Sequence, residues 1–116
     1  MKRDMDLIRF QLLRVEGEDP VPDLDKYTEE QQIEHMALCI EAGFVEGVIR
    51  RNSEGQPNGT VAIRLTWKGH EFLAIAKDDS VWKRACNTIK EVGGHAGSFL
   101  LEELLKKMGK EAIGLA

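Results

Sequence analysis

A β-hairpin pattern in the middle of the chain restricts the fold more than any other sequence feature. Val45–Arg51 is predicted to be the first strand, and residues 60–67 are predicted to be the second. The second strand alternates apolar residues with polar or small ones, its apolar members being Val61, Ile63 and Leu65. Residues 52–59 between the strands are polar and rich in turn formers, which predicts a long, mobile tip.

Two helices are predicted before the hairpin. Apolar residues at helical spacing place the first over residues 4–16. The second begins after Thr28, which forms a capping-box pattern with Gln31. Gly43 follows this helix at the point where a helix end favours a positive φ.

Residues 17–26, which connect these helices, are rich in helix-breaking residues. Because two prolines and a glycine stand there, no ordinary helix is predicted. Residues 21–24 are expected to form a very short edge strand, where proline is tolerated. A DNA-binding helix-turn-helix places its first helix at this point of the chain, so the connection departs from that pattern.

Three further helices are predicted after the hairpin, over residues 68–77, 80–92 and 98–108. The adjacent acids Asp78 and Asp79 are expected to cap the middle one, because carboxylates are favoured at helix N-termini. Trp67 is predicted to close the hairpin onto the following helix. Trp82 is predicted to lie on the apolar face of its helix.

The length of 116 residues corresponds to one domain. We expect a core over residues 1–77 and a C-terminal helical extension over residues 78–116 that packs on the same domain. No apolar run approaches the length of a membrane span, and no signal-peptide pattern is present. The two cysteines are too few for a secreted disulfide scaffold, which favours a cytoplasmic location.

The order of elements resembles a winged helix, which would be an α+β domain with one hairpin wing and additional C-terminal helices. A closer resemblance covers most of the chain. The segments that carry it are residues 1–9 (MKRDMDLIR), 33–36 (IEHM), 41–47 (EAGFVEG) and 65–73 (LTWKGHEFL). They look like an uncharacterised family of small bacterial and phage-encoded proteins. The resemblance implies the fold, but it implies no activity, because the family has none assigned.

The hairpin carries the basic residues on which a nucleic-acid interpretation depends. Residues 45–69 hold four basic and two acidic residues, and a basic wing can lie along a phosphate backbone or enter the minor groove. Under the alternative interpretation these charges keep exposed strand edges soluble. The predicted contacts with double-stranded DNA are Arg50, Arg51, Asn52, Arg64 and Lys68.

Residues 17–42 have the opposite charge, with eight acidic residues and one basic residue. A helix of this charge is repelled by DNA phosphates, from which most DNA affinity comes. The region instead favours a basic protein partner. The residues predicted to form that interaction face are Glu30, Glu34 and Glu41.

No enzyme activity, cofactor or metal is predicted. His35 and Cys39 stand four apart on one predicted helix and share a face, but two ligands do not make a metal site. We interpret them as a boundary histidine and a half-buried small residue. Residues 93–97 are glycine-rich but lack the lysine and hydroxyl residue of a phosphate-binding loop, and no nucleophile signature is present.

The last predicted helix is apolar over more than half of its circumference, which is more than one core-facing stripe needs. Either it closes a large single core, or it pairs with a second copy of the chain. We favour a homodimer. The predicted dimer contacts are Leu100, Leu101, Leu104, Leu105 and Met108.

These features predict a non-enzymatic binding module with no membrane partner. The first interpretation is a small DNA-associated regulator, transcriptional or phage-related, which rests on the basic wing and on the frequent use of winged helices in DNA binding. The second is a protein-interaction adaptor that does not bind DNA. It rests on the acidic charge of residues 17–42.

Overall fold

The computed structural model describes residues 3–91 together with Glu103 and Lys107. The chain divides into two compact units between His70 and Glu71. The elements of the described part, in chain order, are α1 (Met5–Glu16), a 3₁₀ helix (Leu24–Lys26), α2 (Glu29–Glu41), β1 (Val45–Arg51), β2 (Pro57–Leu65), α3 (Trp67–Ala76) and α4 (Asp79–Glu91). Each helix predicted within this part is confirmed to within one residue at either end.

Local capping interactions explain where the helices of the first unit begin and end. Asp4 precedes α1, and its side chain accepts a hydrogen bond from the backbone N–H of Leu7 at 3.2 Å. Thr28 and Gln31 form both hydrogen bonds of the predicted capping box at the start of α2. Gly43 follows α2 with a φ of 83°, the left-handed conformation that the sequence predicted.

The connection between α1 and α2 contains no strand, so the predicted edge strand over residues 21–24 is wrong. The chain turns there and forms the 3₁₀ helix Leu24–Lys26. Val21 and Leu24 are buried together with Leu7 of α1. The apolar residues that suggested a strand therefore serve to bury this turn against α1.

The hairpin is antiparallel, as predicted, but its loop is shorter than the sequence indicated. β2 begins at Pro57 and ends at Leu65, so residues 52–56 alone form the tip. Asn52 closes this loop, because its Oδ1 accepts hydrogen bonds from the backbone N–H groups of Glu54 and Gln56 at 2.9 and 3.0 Å. The prediction of an eight-residue tip missed this side-chain bridge.

The described part of the second unit contains α4 and most of α3. Asp78 caps α4 as predicted, since its Oδ1 accepts from the backbone N–H groups of Ser80 and Val81, both at 3.0 Å. Phe72 and Trp82 are buried, and their rings meet edge to face with centroids 6.2 Å apart. The packing of Trp82 is thus confirmed. The helix predicted over residues 98–108, with its five dimer residues, and the loop 93–97 lie outside the described residues, apart from Glu103 and Lys107.

The fold is α+β, with helices, one two-stranded antiparallel hairpin and a winged-helix-like order of elements, as predicted. The core of the first unit includes residues from both helices and both strands, among them Leu12, Met36, Phe44, Val45 and Leu65. None of the described helices is both long enough and apolar enough to cross a bilayer.

Candidate functional site

The hairpin has one face turned towards α2 and one turned away from it. Gly47 lies on the inner face, because a Cβ placed there would be 2.9 Å from Cδ1 of Ile40 in α2. The residues of β1 that alternate with the inner face point the other way and are exposed, namely Glu46, Val48 and Arg50. The strand register sets Arg64, Val61 and Gly59 opposite these three. We call these six residues the outward face of the hairpin.

Two of the arginines predicted to contact DNA form ion pairs within the protein. Arg51 donates to the Glu41 carboxylate at 2.8 Å and to the carbonyl oxygen of Gly55 at 3.0 Å. Arg64 pairs across the strands with Glu46. Both pairs are partly exposed, so each contributes little to stability. Each pair nevertheless neutralises an arginine whose positive charge would otherwise be available to bind a DNA phosphate.

Lys68, a third predicted DNA contact, is bound at the end of α2. Its Nζ donates to the carbonyl oxygen of Ala42 at 3.1 Å and lies 5.3 Å from the centre of the Phe44 ring. α2 has no basic residue in its own last turn. Lys68 supplies the positive charge that a helix C-terminus favours, from a different element.

Arg50 and Asn52 complete the predicted DNA-contact set. The side-chain oxygen of Asn52 is occupied by the loop bonds described above. Arg50 is exposed on the outward face of the hairpin, and within the described part of the chain its guanidinium has no ion pair or hydrogen bond. Of the predicted DNA contacts, Arg50 is therefore the one cation that remains unpaired among the residues the structure describes.

The acidic residues predicted to bind a protein share one side of α2, because their spacing of four and seven residues returns them to the same face. Glu30 is exposed and Glu34 is half-buried, and neither has an ion pair with any described residue. Glu41 is bound to Arg51. The half-buried Leu38 lies between Glu34 and Glu41 on this side of the helix. We call Glu30, Glu34 and Leu38 the outward face of α2.

His35 is 1% exposed, so its interpretation as a boundary residue is wrong. Its Nε2 accepts a hydrogen bond from the backbone N–H of Asp4 at 2.8 Å. Nδ1, which carries the proton in this tautomer, donates to the carbonyl oxygen of Gln31 at 2.8 Å. The Asp4 carboxylate in turn accepts from the hydroxyl of Tyr27 at 3.1 Å. This cluster joins the start of α1 to α2 and to the 3₁₀ turn.

Cys39 is also buried, more deeply than predicted, and burial raises the pKa of its thiol to about 12. The thiol is therefore protonated at neutral pH and is a poor metal ligand or nucleophile. Both nitrogens of His35 are already used in hydrogen bonds. Among the described residues, no group of three His, Cys, Asp or Glu side chains is placed to hold a metal ion.

Sequence reasoning missed a set of exposed apolar side chains in and beside the hairpin. Val48 is 56% exposed, Val61 52%, Ile63 60% and Trp67 79%. The alternation of β2 does not reveal that Val61 and Ile63 lack cover. Trp67 begins α3 and does not close the hairpin, so its predicted packing role is wrong. Val48 and Val61 lie directly opposite each other in the hairpin, and exposed apolar side chains grouped in this way are typical of interaction surfaces.

The described residues have an α+β fold of winged-helix-like order, with an acidic helix face and a partly apolar wing. The family model described as "Hypothetical protein (DUF2513)" matches residues 2–95. The chain belongs to that family, which confirms the resemblance to an uncharacterised family.

A relative from Haemophilus influenzae agrees with this assignment. It is described as an uncharacterized protein and is 34% identical over 96 residues, which make up 78% of this chain and 80% of the relative. No solved structure matches the chain. The fold and the surfaces described above therefore carry the functional argument.

Proposed function

We propose that this protein is a non-enzymatic protein-binding module that docks a basic surface of another protein on the outward face of α2. The observation that carries the proposal is the state of Glu30 and Glu34. Both are on one side of α2, and neither has an ion pair with a described residue. Unpaired carboxylates grouped around a partly exposed leucine offer charge and apolar contact to the same partner.

The distribution of the nearby cations supports the same proposal. Lys26, the basic residue of the segment 17–42, pairs with Asp23 at 2.8 Å. Arg51 of the hairpin pairs with Glu41 at the far end of α2. Neither cation neutralises Glu30 or Glu34, so the outward face of α2 keeps a net negative charge, and this charge would speed encounter with a basic partner.

A charge-reversal comparison tests the proposal. The wild type, the double variant Glu30→Lys/Glu34→Lys and a control, Glu18→Lys/Glu54→Lys, are immobilised and incubated with a cell lysate, and bound proteins are identified by mass spectrometry. Both variants change the net charge equally, but the control residues are exposed and lie outside α2. We expect basic proteins that bind the wild type and the control but not the α2 variant.

An identical set of bound proteins for all three would rule out the outward face of α2 as the docking surface. Because Glu30 lies in the first turn of α2, where a lysine is unfavourable, Glu30→Gln/Glu34→Gln is included as a milder change. Matching thermal unfolding of this variant and the wild type ensures that lost binding reports the surface. Partial loss of the same partners is the expected result for the neutral variant.

A DNA-associated regulator, transcriptional or phage-related, is the second candidate, and one observation favours it. Arg50 lies on an exposed hairpin and has no ion pair with any described residue. The order of elements is winged-helix-like, and winged helices commonly bind DNA. Arg51, Arg64 and Lys68 each have partners within the protein. A single unpaired arginine neutralises about one phosphate, which gives a salt dependence of about one power of salt concentration.

Titration of a fluorescently labelled random duplex at low and physiological salt separates the two candidates. DNA binding by the wing predicts salt-sensitive binding that Arg50→Glu abolishes and that Lys83→Glu in α4 leaves unchanged. Both substitutions reverse one exposed charge. No binding at low salt would eliminate non-specific duplex DNA as the partner and would leave the protein-binding proposal in place.

A further inference from the structure

The outward face of the hairpin consists of three cross-strand rows. Glu46 pairs with Arg64, Val48 pairs with Val61, and Arg50 pairs with Gly59 nearest the loop. The two valines are each more than half exposed. Side chains directly opposite in an antiparallel pair lie about 5 Å apart, so the valines form one continuous apolar row between two charged rows.

The two charged rows differ in a way that matters for docking. Arg64 and Glu46 form an ion pair, so the first row is neutral. Arg50 is unpaired among the described residues, and the row it shares with Gly59 carries a positive charge. The stem of Arg50 lies across Gly59, because a Cβ placed on that glycine would be 3.6 Å from Cδ of Arg50. The stem of Arg50 therefore covers the Gly59 half of this row.

We propose that a second copy of this chain covers the outward face of the hairpin, related to the first by a two-fold axis that runs across the strands at the valine row. Such an axis stacks β1 on β1 and reverses the order of the rows. The valines of both copies then meet at the centre. Arg50 of each copy lies opposite Glu46 of the other.

The face fits itself because its free positive charge and its carboxylate lie on opposite sides of the apolar row. Glu46 and Arg50 are each two residues from Val48 in β1. A two-fold interface requires this self-complementarity, since the same patch supplies both halves. Two-stranded faces stacked in this way pack about 10 Å apart, and the twist of the strands allows an aligned arrangement.

The size of the face sets the strength of the contact. A strand of seven residues such as β1 is roughly 23 Å long, and two strands span roughly 10 Å. The area of such a face is less than the ~800 Å² per partner of a standard interface. The dimer is therefore weak and concentration-dependent. The contact uses none of the residues of the outward face of α2, so it is independent of the proposed protein binding, and it shares only Arg50 with the DNA candidate.

Sedimentation velocity tests the self-association with the full chain, over concentrations from about 10 μM to about 1 mM, the range of weak complexes. We expect the wild type to shift from monomer to dimer across this range. Val48→Thr/Val61→Thr, which keeps branched side chains suited to strands, should raise the dissociation constant about tenfold. Lys83→Glu in α4 is the control and should dimerise like the wild type.

Charge exchange supplies the decisive measurement. Arg50→Glu and Glu46→Arg each place like charges opposite each other across the proposed axis, so each variant alone should remain monomeric. In an equimolar mixture the two introduced side chains face each other with opposite charges, and so do the native Glu46 and Arg50. The mixture should therefore form a heterodimer. Regained binding in the mixture also shows that both variants are folded.

Three results would overturn the proposal. The first is a wild type that stays monomeric at every concentration. The second is a dimer that the valine and Arg50 variants leave unchanged, which would place the contact elsewhere on the chain. The third is a mixture of the two charge variants that stays monomeric. The tests of the outward face of α2 stand apart from all three.

Discussion

Arg51 of β1 forms an ion pair with Glu41, the last residue of α2, at 2.8 Å. The same guanidinium donates to the carbonyl oxygen of Gly55 in the hairpin loop. One side chain thus ties the loop to the end of the helix from which the hairpin emerges. The sequence suggests DNA binding for Arg51 and protein binding for Glu41, but in the folded chain each is the other's partner.

Replacing Arg51 by alanine should loosen the hairpin loop more than it lowers global stability. Both side chains are about half exposed, at 44% and 50%, so the pair contributes less than about 1 kcal/mol to the free energy of unfolding. The hydrogen bond to Gly55 is lost as well. We expect faster amide hydrogen exchange in residues 52–56, with a nearly unchanged urea midpoint.

Comparison with Glu41→Ala and with the double variant separates the two contacts of Arg51. Glu41→Ala removes the ion pair but leaves the hydrogen bond to Gly55. It should therefore speed exchange in the loop less than Arg51→Ala does. Equal effects of the two single variants would mean that the loop contact contributes nothing, contrary to this account.

Substitution of His35 should destabilise the first unit strongly. His35→Leu preserves most of the buried volume but leaves the backbone N–H of Asp4 without its acceptor. A fully buried donor left unpaired costs about 1–3 kcal/mol, and because the Asp4 N–H is only part-buried, we expect a loss in the lower half of that range in urea unfolding. His35→Gln keeps an amide oxygen that can accept and should lose less. Equal stability of wild type and His35→Leu would show that this contact has no net value.

The capping residues explain why the helices were predictable from the sequence. Thr28 with Gln31, Gly43 and Asp78 each act on neighbouring backbone groups, so their signals are local. The class of fold followed from the order of these helices around the hairpin. The buried role of His35 did not, because its acceptor contact is with Asp4, 31 residues earlier in the chain.

The candidate surfaces were less predictable, since they depend on tertiary neighbours. Alternation in β2 indicated a strand correctly, but not that Val61 and Ile63 would lack a covering layer. Likewise the basic composition of the hairpin gave no sign that Arg51 and Arg64 would meet carboxylates. Alternation and charge count report what a segment contains, whereas exposure and pairing depend on what packs beside it.

Tyr27 should ionise at an unusually high pH in the folded protein. Burial, followed by the nearby Asp4 carboxylate, raises the pKa of its phenol from 10.0 to about 12. It is the one tyrosine of the chain, so phenolate absorbance reports it alone. We expect a transition near pH 12 in the native protein and near pH 10 in urea.

The direction of the linked stability change follows from this shift. The folded state holds the phenolic proton more tightly than the unfolded state, so the contribution of Tyr27 to stability is constant below about pH 10 and falls as the pH rises from there towards 12. The buried Cys39 thiol, with a raised pKa, acts in the same direction. Tyr27→Phe should remove part of the alkaline loss. A native phenol that titrates with the unfolded one would contradict the burial and the Asp4 contact.

The two tryptophans should report opposite environments, because Trp67 is 79% exposed and Trp82 is 3% exposed. Trp67→Phe leaves Trp82 as the emitter, and we expect a blue-shifted spectrum that acrylamide quenches weakly. Trp82→Phe leaves Trp67, whose emission should be red-shifted and easily quenched. The stabilities of the two variants should differ as well. Trp67→Phe should change the free energy of unfolding by less than about 0.5 kcal/mol, as is usual at exposed sites.

Trp82→Phe should cost more, because it opens space beside Phe72, whose ring Trp82 meets edge to face. A loss of about 1–3 kcal/mol is expected for a buried aromatic that becomes smaller. Emission and urea unfolding of the two single variants therefore test the same assignment by independent routes. If Trp67 were the shielded residue, the order of the two emission maxima and the order of the two stability losses would both reverse. That result would mean that Trp67 is packed in the folded protein and is not one of the exposed apolar residues.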